Sequence, residues 1–351
     1  MTEKDDFCLL SSYALGQGHL FRLIRGINHL SKFRRLFPLV LLLFAVSGYS
    51  QSGWTNRSSR DVTGDLVAVY FTSASNGWVA GDHGFLASTT DGGNSWVKYP
   101  LNTSEDINEI YFRNDKNGYL VAGKKLFLTT DGGRTWQETR IYLSSDFKNG
   151  SPEFLSVRFT DKKRGIIVGA VINKDDRVID SLIMRTEDGG ETWQRVIVSP
   201  KTELLHVHYS HGSNVWAVGD NGVILASTDG GGTWRTQSSG TSVPLYSVDF
   251  HDNNEGYAVG KSGMILKTEN GGSTWNKVIT NFKDTFMRVD FTNDKNGWIV
   301  GYSGTIIRSS DRGQTWVLQE SGTSSKLYGL FMNKKFGWAV GEKGAILSFK
   351  K

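Results

Sequence analysis

From residue 66 onward the chain repeats one arrangement of apolar and polar positions. A six-residue run in which apolar and polar side chains alternate recurs seven times, at 66–71, 107–112, 154–159, 204–209, 245–250, 286–291 and 327–332. A period of two is the mark of a strand with one buried face. A short polar turn rich in Asn, Asp and Lys follows each run. Next comes a stretch of the type Gly-Trp-x-Val-Gly, at 77–81, 118–123, 297–301 and 337–341, with 215–219 and 256–260 as close variants. A third apolar run, such as 263–268, leads into a Gly-rich turn, and a fourth begins at the tryptophan that ends the turn. Each unit therefore predicts four short strands joined by tight turns. No stretch longer than a turn carries helical periodicity.

The turn before the fourth strand is a box with an acid or amide at its head and a tryptophan at its end. The pairs are Asp91 with Trp96, Asp131 with Trp136, Asp188 with Trp193, Asp229 with Trp234, Asn270 with Trp275, and Asp311 with Trp316. Successive box tryptophans lie 40, 57, 41, 41 and 41 residues apart, so one unit carries an insertion, divided between 142–151 and 171–181. A short carboxylate or amide group can accept main-chain N–H groups of its own turn, and the glycines behind it can take the positive φ such a turn needs. These carboxylates are read as turn clamps. One per unit, spaced around a ring, cannot converge on a single substrate atom.

The seventh unit stops at Lys351 before any box tryptophan, while Trp54 sits in Gly-Trp-Thr-Asn-Arg-Ser-Ser, similar to Thr-Trp-Arg-Thr-Gln-Ser-Ser at 233–239. An N-terminal strand at Trp54 is therefore expected to complete the last unit and close the ring, which removes exposed strand edges. The predicted fold is all-β, a single seven-bladed β-propeller of four-stranded antiparallel blades over residues 51–351.

Residues 1–50 read as a leader. Lys32, Arg34 and Arg35 precede the apolar run 36–46, and Ser47, Gly48, Tyr49, Ser50 and Gln51 follow it. That order is a signal peptide with cleavage expected near Ser50/Gln51, giving an exported, periplasmic or extracellular protein. The run is shorter than the ~20 residues of a membrane-spanning helix, so no stable anchor is expected after cleavage. No cysteine follows it to carry a lipid. The formal charge of +5 falls to +2 outside residues 1–50, which gives no case for a nucleic-acid partner. The one cysteine, Cys8, lies in the leader, so neither a disulfide nor a thiol metal site nor a cysteine nucleophile is expected in the folded part.

The boxes resemble the BNR/Asp-box repeat of sialidases, xyloglucanases and sortilin-type propellers. The whole unit, with Gly-Trp-x-Val-Gly ahead of the box, is similar to the photosystem II stability/assembly factor family, from Trp54 to Lys351. That resemblance implies an exported, non-enzymatic factor that holds a membrane-protein precursor during assembly. A carbohydrate-active or carbohydrate-binding propeller is the alternative. The sialidase Arg-Ile-Pro element does not occur, a xyloglucanase cleft lies between two propellers, and phosphate-loop, nucleophile-elbow and zinc-helix motifs are missing. No catalytic residue, cofactor or metal site is expected.

A partner is expected to be a protein, of a membrane or envelope complex, with a glycan less favoured. The innermost strands differ from unit to unit at polar positions, namely Glu109, Arg158, His206, His208, Asp249, Arg288 and Asp290. Alternation places the first, third and fifth residues of a strand on one face, so His206 with His208 and Arg288 with Asp290 are neighbours near the central channel. Such a funnel suits a peptide terminus or loop, although ion pairing between blades would use the same residues. The inserted stretch 173–177 is a second candidate contact.

Overall fold

Seven four-stranded antiparallel sheets form among the described residues, and they close into a propeller. The computed structural model describes residues 53–350 apart from 59–61, 63 and 148; the expected export signal and its cleavage point lie outside the described residues. The innermost strands are Leu66–Phe71, Ile107–Phe112, Ser151–Phe159, Leu204–Tyr209, Leu245–Phe250, Phe286–Phe291 and Leu327–Met332. We number the blades one to seven in that order. In the seventh, the strands Leu327–Met332, Phe336–Gly341 and Ala345–Lys350 are completed by Trp54–Asn56.

One expectation about these strands is corrected. The pairing with the second strand slips between the first and third residues of every alternating run, as between Leu66 and Ala68 or Phe286 and Arg288. A bulge of this kind adds one residue and reverses the face that follows. The first residue therefore does not share the face of the third and fifth. It joins the fourth and sixth instead, as Leu66 joins Val69 and Phe71, and Phe286 joins Val289 and Phe291, in the apolar clusters between blades. Seven such clusters hold the ring together, one per blade junction.

The aromatic positions of the repeat meet across those junctions. At five of the seven junctions the aromatic on the second strand of one blade stacks on the Phe ending the inner strand of the next, and that blade's box tryptophan stands edge-on to the same ring. Trp216 and Phe250 lie 3.6 Å apart with Trp275 at 5.7 Å, and Tyr257 and Phe291 lie 4.1 Å apart with Trp316 at 5.9 Å. Such pairs add to the area they bury. The second box glycine lies under the same aromatic: a Cβ on Gly93 would stand 2.1 Å from Trp338 Cη2, on a backbone with φ of 75°. Only glycine meets both demands.

Each box hydrogen-bonds within its own turn. In the first, Asp91 Oδ1 accepts the N–H groups of Asn94 and Ser95 at 3.0 Å and the Thr89 hydroxyl at 2.8 Å, while the Ser95 hydroxyl donates to Oδ2 at 2.6 Å. Asn270 keeps the scheme by reversing one bond, its Nδ2 donating to Thr274 Oγ1 at 3.0 Å. The insertion in the third blade differs from the loop expected at 173–177. It lengthens the strands to Gly165–Ile172 and Val178–Thr186, so 173–177 is the tight turn at a hairpin tip, fastened by Asn173 Oδ1 accepting from Asp175 and Arg177.

Candidate functional site

Because the bulge turns the third and fifth residues of each inner strand inward, their side chains set the chemistry of the central channel. A cavity of about 240 Å³ occupies it, and Glu109, Arg158, His206, His208, Asp249, Arg288 and Asp290 all line it. Sequence reasoning missed the other wall. Tyr70, Tyr111 and Phe331 stand at fifth positions of the same runs, beside the small third residues Ala68 and Gly329. Tyr70 is 5.1 Å from Phe331 and 5.9 Å from Tyr111 between ring centroids. The signal was the same alternation, obscured because aromatic residues on strands read as core. The turn 173–177 is not part of this cavity. Its Asp176 borders a separate depression of about 400 Å³ with Glu105, Lys124 and Glu153.

Third-position side chains brace one blade to the next. Glu109 Oε2 accepts from the Ser156 hydroxyl at 2.6 Å and the Val157 N–H at 2.9 Å; Ser156 Oγ accepts from Val207 at 3.2 Å; His206 Nδ1 accepts from Val248 at 3.2 Å; and Ser247 Oγ accepts from Val289 at 3.4 Å. Arg288 ends the series because a guanidinium has no acceptor. It reaches across the channel, from the sixth blade to the second, and meets Glu109 Oε1 at 3.2 Å. Arg158 meets the same oxygen at 2.8 Å and lies over the Tyr111 ring at 5.2 Å.

Both histidines are held by main-chain groups of the next blade. His206 Nδ1 accepts from main chain, so in the neutral ring Nε2 carries the hydrogen; Nε2 lies 3.2 Å from Arg158 Nη2, also a donor, and 3.8 Å from Glu109 Oε1. Burial, with Arg288 and Arg158 nearby, holds this ring far below the usual histidine range, so it is neutral. His208 Nε2 donates to the Phe250 carbonyl at 3.0 Å, while its Nδ1 faces Asp249 Oδ1 at 3.2 Å. That contact needs one proton between the two groups. Burial lowers the His208 pKa and raises that of Asp249, so the two groups hold that proton between them.

Asp290 accepts from the Met332 N–H at 2.7 Å and makes no ion pair among the described residues. Burial first, and the Asp249 carboxyl second, push its pKa up to about 8. A carboxyl held above its unfolded-state value near ~4 takes up a proton on folding. Its contribution to stability is thus complete below about pH 4 and is lost as the pH rises toward 8. Asp290→Asn keeps an acceptor for Met332 and cannot ionise. We expect the variant to melt at the wild-type temperature at pH 4 and above it, by a gap that widens from pH 5 to 8, in thermal scans by circular dichroism. A gap that ignores pH would show that Asp290 is ionised in the folded protein.

Residues 96–203, 201–269 and 268–350 match the family described as Photosynthesis system II assembly factor YCF48. The chain belongs to this family. A relative named Photosystem II assembly lipoprotein Ycf48, from Synechococcus sp. (strain CC9902), is 25% identical over 158 residues, 44% of this chain and 43% of its own length. Another of that name, from Picosynechococcus sp. (strain ATCC 27264 / PCC 7002 / PR-6), is 40% identical over 65 residues, 18% of this chain and 19% of its own length. The chain thus aligns with less than half the length of these relatives. Among solved structures, one described as YCF48 bound to D1 peptide superposes with a TM-score of 0.70 at 20% identity, over 86% of this chain and 96% of that one. YCF48 from Cyanidioschyzon merolae gives 0.67 at 20% identity over 85% and 98%. Virginiamycin B lyase from Staphylococcus aureus, an enzyme, also gives 0.67, at 12% identity over 85% and 99%. At these identities the likeness is one of fold, which hosts catalysts and scaffolds alike.

Proposed function

We propose that this protein is an exported, non-catalytic scaffold whose channel holds a segment of a partner protein while a membrane or envelope complex is assembled. The observation that carries this reading is the contrast between frame and channel. Strands and boxes recur around the ring, whereas no two blades present the same pair of side chains at the third and fifth channel positions, as Glu109 with Tyr111, His206 with His208 and Arg288 with Asp290 show. A rigid ring with a blade-specific lining suits recognition. Family membership supports it, as do relatives named assembly lipoproteins and a neighbour described as bound to a peptide. Two free acids facing one another would favour glycoside chemistry. Here Glu109 sits under two guanidiniums and Asp249 against His208, which leaves Asp290 as one unpaired acid rather than a facing pair of free ones.

The test is affinity capture of the tagged protein from its native envelope, followed by mass spectrometry, with a folded Arg158→Met/Arg288→Met variant alongside. A membrane-complex subunit captured by the wild type and lost from the variant is the expected result. Equal capture by both would remove the channel from the reading, and capture of nothing specific would remove the scaffold.

A further inference from the structure

We infer that the channel seats a carboxylate of the partner, with the apolar group next to it lying against Tyr70 and Phe331. This rests on the reading of the channel as the partner site and names the chemistry recognised there.

Charge is the first reason. Arg158 and Arg288 both converge on Glu109, two guanidiniums on one carboxylate. The neutral His206 contributes nothing, and the Asp249–His208 contact is neutral as a pair because it holds one shared proton. Asp290 is faced by Asp249 of the fifth blade, Arg158 of the third, Tyr70 of the first and Arg288 of its own strand. Holding its proton at neutral pH, it leaves one positive charge in the channel uncompensated. An anion is the ligand that this charge favours, and a planar carboxylate suits guanidinium donors.

Geometry is the second. The protonated Asp290 is an O–H donor, and with one oxygen accepting from Met332 the other is available to a ligand. Ala68 and Gly329 leave the opposite side unfilled, so free volume adjoins the aromatic wall. At about 240 Å³ the cavity is smaller than the ~300–1,000 Å³ of ligand pockets in general, which limits the occupant to one side group or one polypeptide terminus. A carboxylate joined to an aromatic or aliphatic group satisfies both walls.

Two sources share this chemistry, a free polypeptide C-terminus and an acidic side group. The probes that separate them are acetyl-Ala-Ala-Phe with a free carboxylate, the same peptide as its amide, and acetyl-Phe-Glu-Ala amide, titrated calorimetrically into the full-length folded protein. At pH 7 at least one acidic peptide is expected to bind about tenfold or more tighter than the neutral amide, as a charge-assisted contact requires. The tighter of the two acids identifies the source. Arg288→Met, and separately Arg158→Met, should abolish the preference while a cooperative melt shows the ring intact. Between pH 7 and 9 wild-type affinity for the acid should fall as Asp290 loses its proton, and Asp290→Asn should remove that decline. Equal binding of acid and amide, or tighter binding of phenethylamine than of either acid, overturns the inference. The two readings fail separately. Acid preference without any protein captured from the envelope leaves the seat and removes the scaffold, and capture that depends on the arginines without acid preference does the reverse.

Discussion

Deleting the strand Trp54–Asn56 is expected to open the ring. This strand pairs Trp54 with Phe349, Thr55 with Ser348 and Asn56 with Leu347, and the bonds continue beyond it through Lys350 N–H to Gly53 O at 3.1 Å and Arg57 N–H to Ile346 O at 2.7 Å. Without it, Ala345–Lys350 becomes an unpaired edge, and the apolar cluster between the sixth and seventh blades loses Trp54 from against Phe349, the ring that also meets Trp298. The protein should then aggregate or melt far below its intact form, since an exposed apolar edge templates association. Trp54→Ala isolates the packing part. The side chain is 6% exposed, and large aromatic truncations in a core cost about 3–5 kcal/mol, which in a unit of this size corresponds to roughly 5–8 °C in melting temperature. Thermal unfolding with size-exclusion chromatography reads both outcomes. A truncated protein that stays monomeric and melts with the wild type would mean that the seventh blade is stable on three strands.

Much of this architecture was legible because it is local. Alternation over six residues located the inner strands, and the box needs only six residues to satisfy its own turn. The bulge at Val67, Tyr246 or Met287 was not legible, since an extra residue in a pairing leaves no compositional mark. That is why the first residue of each run looked as though it faced the channel. The third blade misled in a related way: extra residues read as loop, yet Ser151–Phe159, Gly165–Ile172 and Val178–Thr186 simply pair for longer. The channel divides along the same line. Its charged residues stood out at polar positions of apolar strands, whereas Tyr70 and Phe331 did not. The meeting of Arg288 with Glu109 depends on ring closure, on a bulge in two blades and on the small size of Ala68 and Gly329. No window of sequence holds all three.

Glu109→Ala should be the most damaging single change in the channel. The side chain is only 4% exposed and takes four donors, from Ser156 and Val157 on one oxygen and Arg158 and Arg288 on the other. Its removal leaves two inward guanidiniums without a counter-charge and a buried N–H without an acceptor. Breaking a buried pair from one side costs about 3–5 kcal/mol, against roughly 0–1 kcal/mol for an exposed one, so the size of the loss reports how dry the channel is. Glu109→Gln keeps an acceptor for Val157 and should fall between the wild type and the alanine variant. The decisive comparison adds Arg288→Met to Glu109→Ala. If the two groups form one unit, the double variant should be more stable than the sum of the single losses requires, with a coupling of about 1–3 kcal/mol in denaturant titrations. Added salt should change it little, because pairs out of reach of solvent are weakly screened. Strict additivity would mean that Arg288 only rests near Glu109, and the ring would then owe its rigidity to the aromatic junctions alone. Coupling would make the pair a strut across the channel, holding the second and sixth blades at a fixed distance and keeping Arg158 and Arg288 in place before any partner arrives.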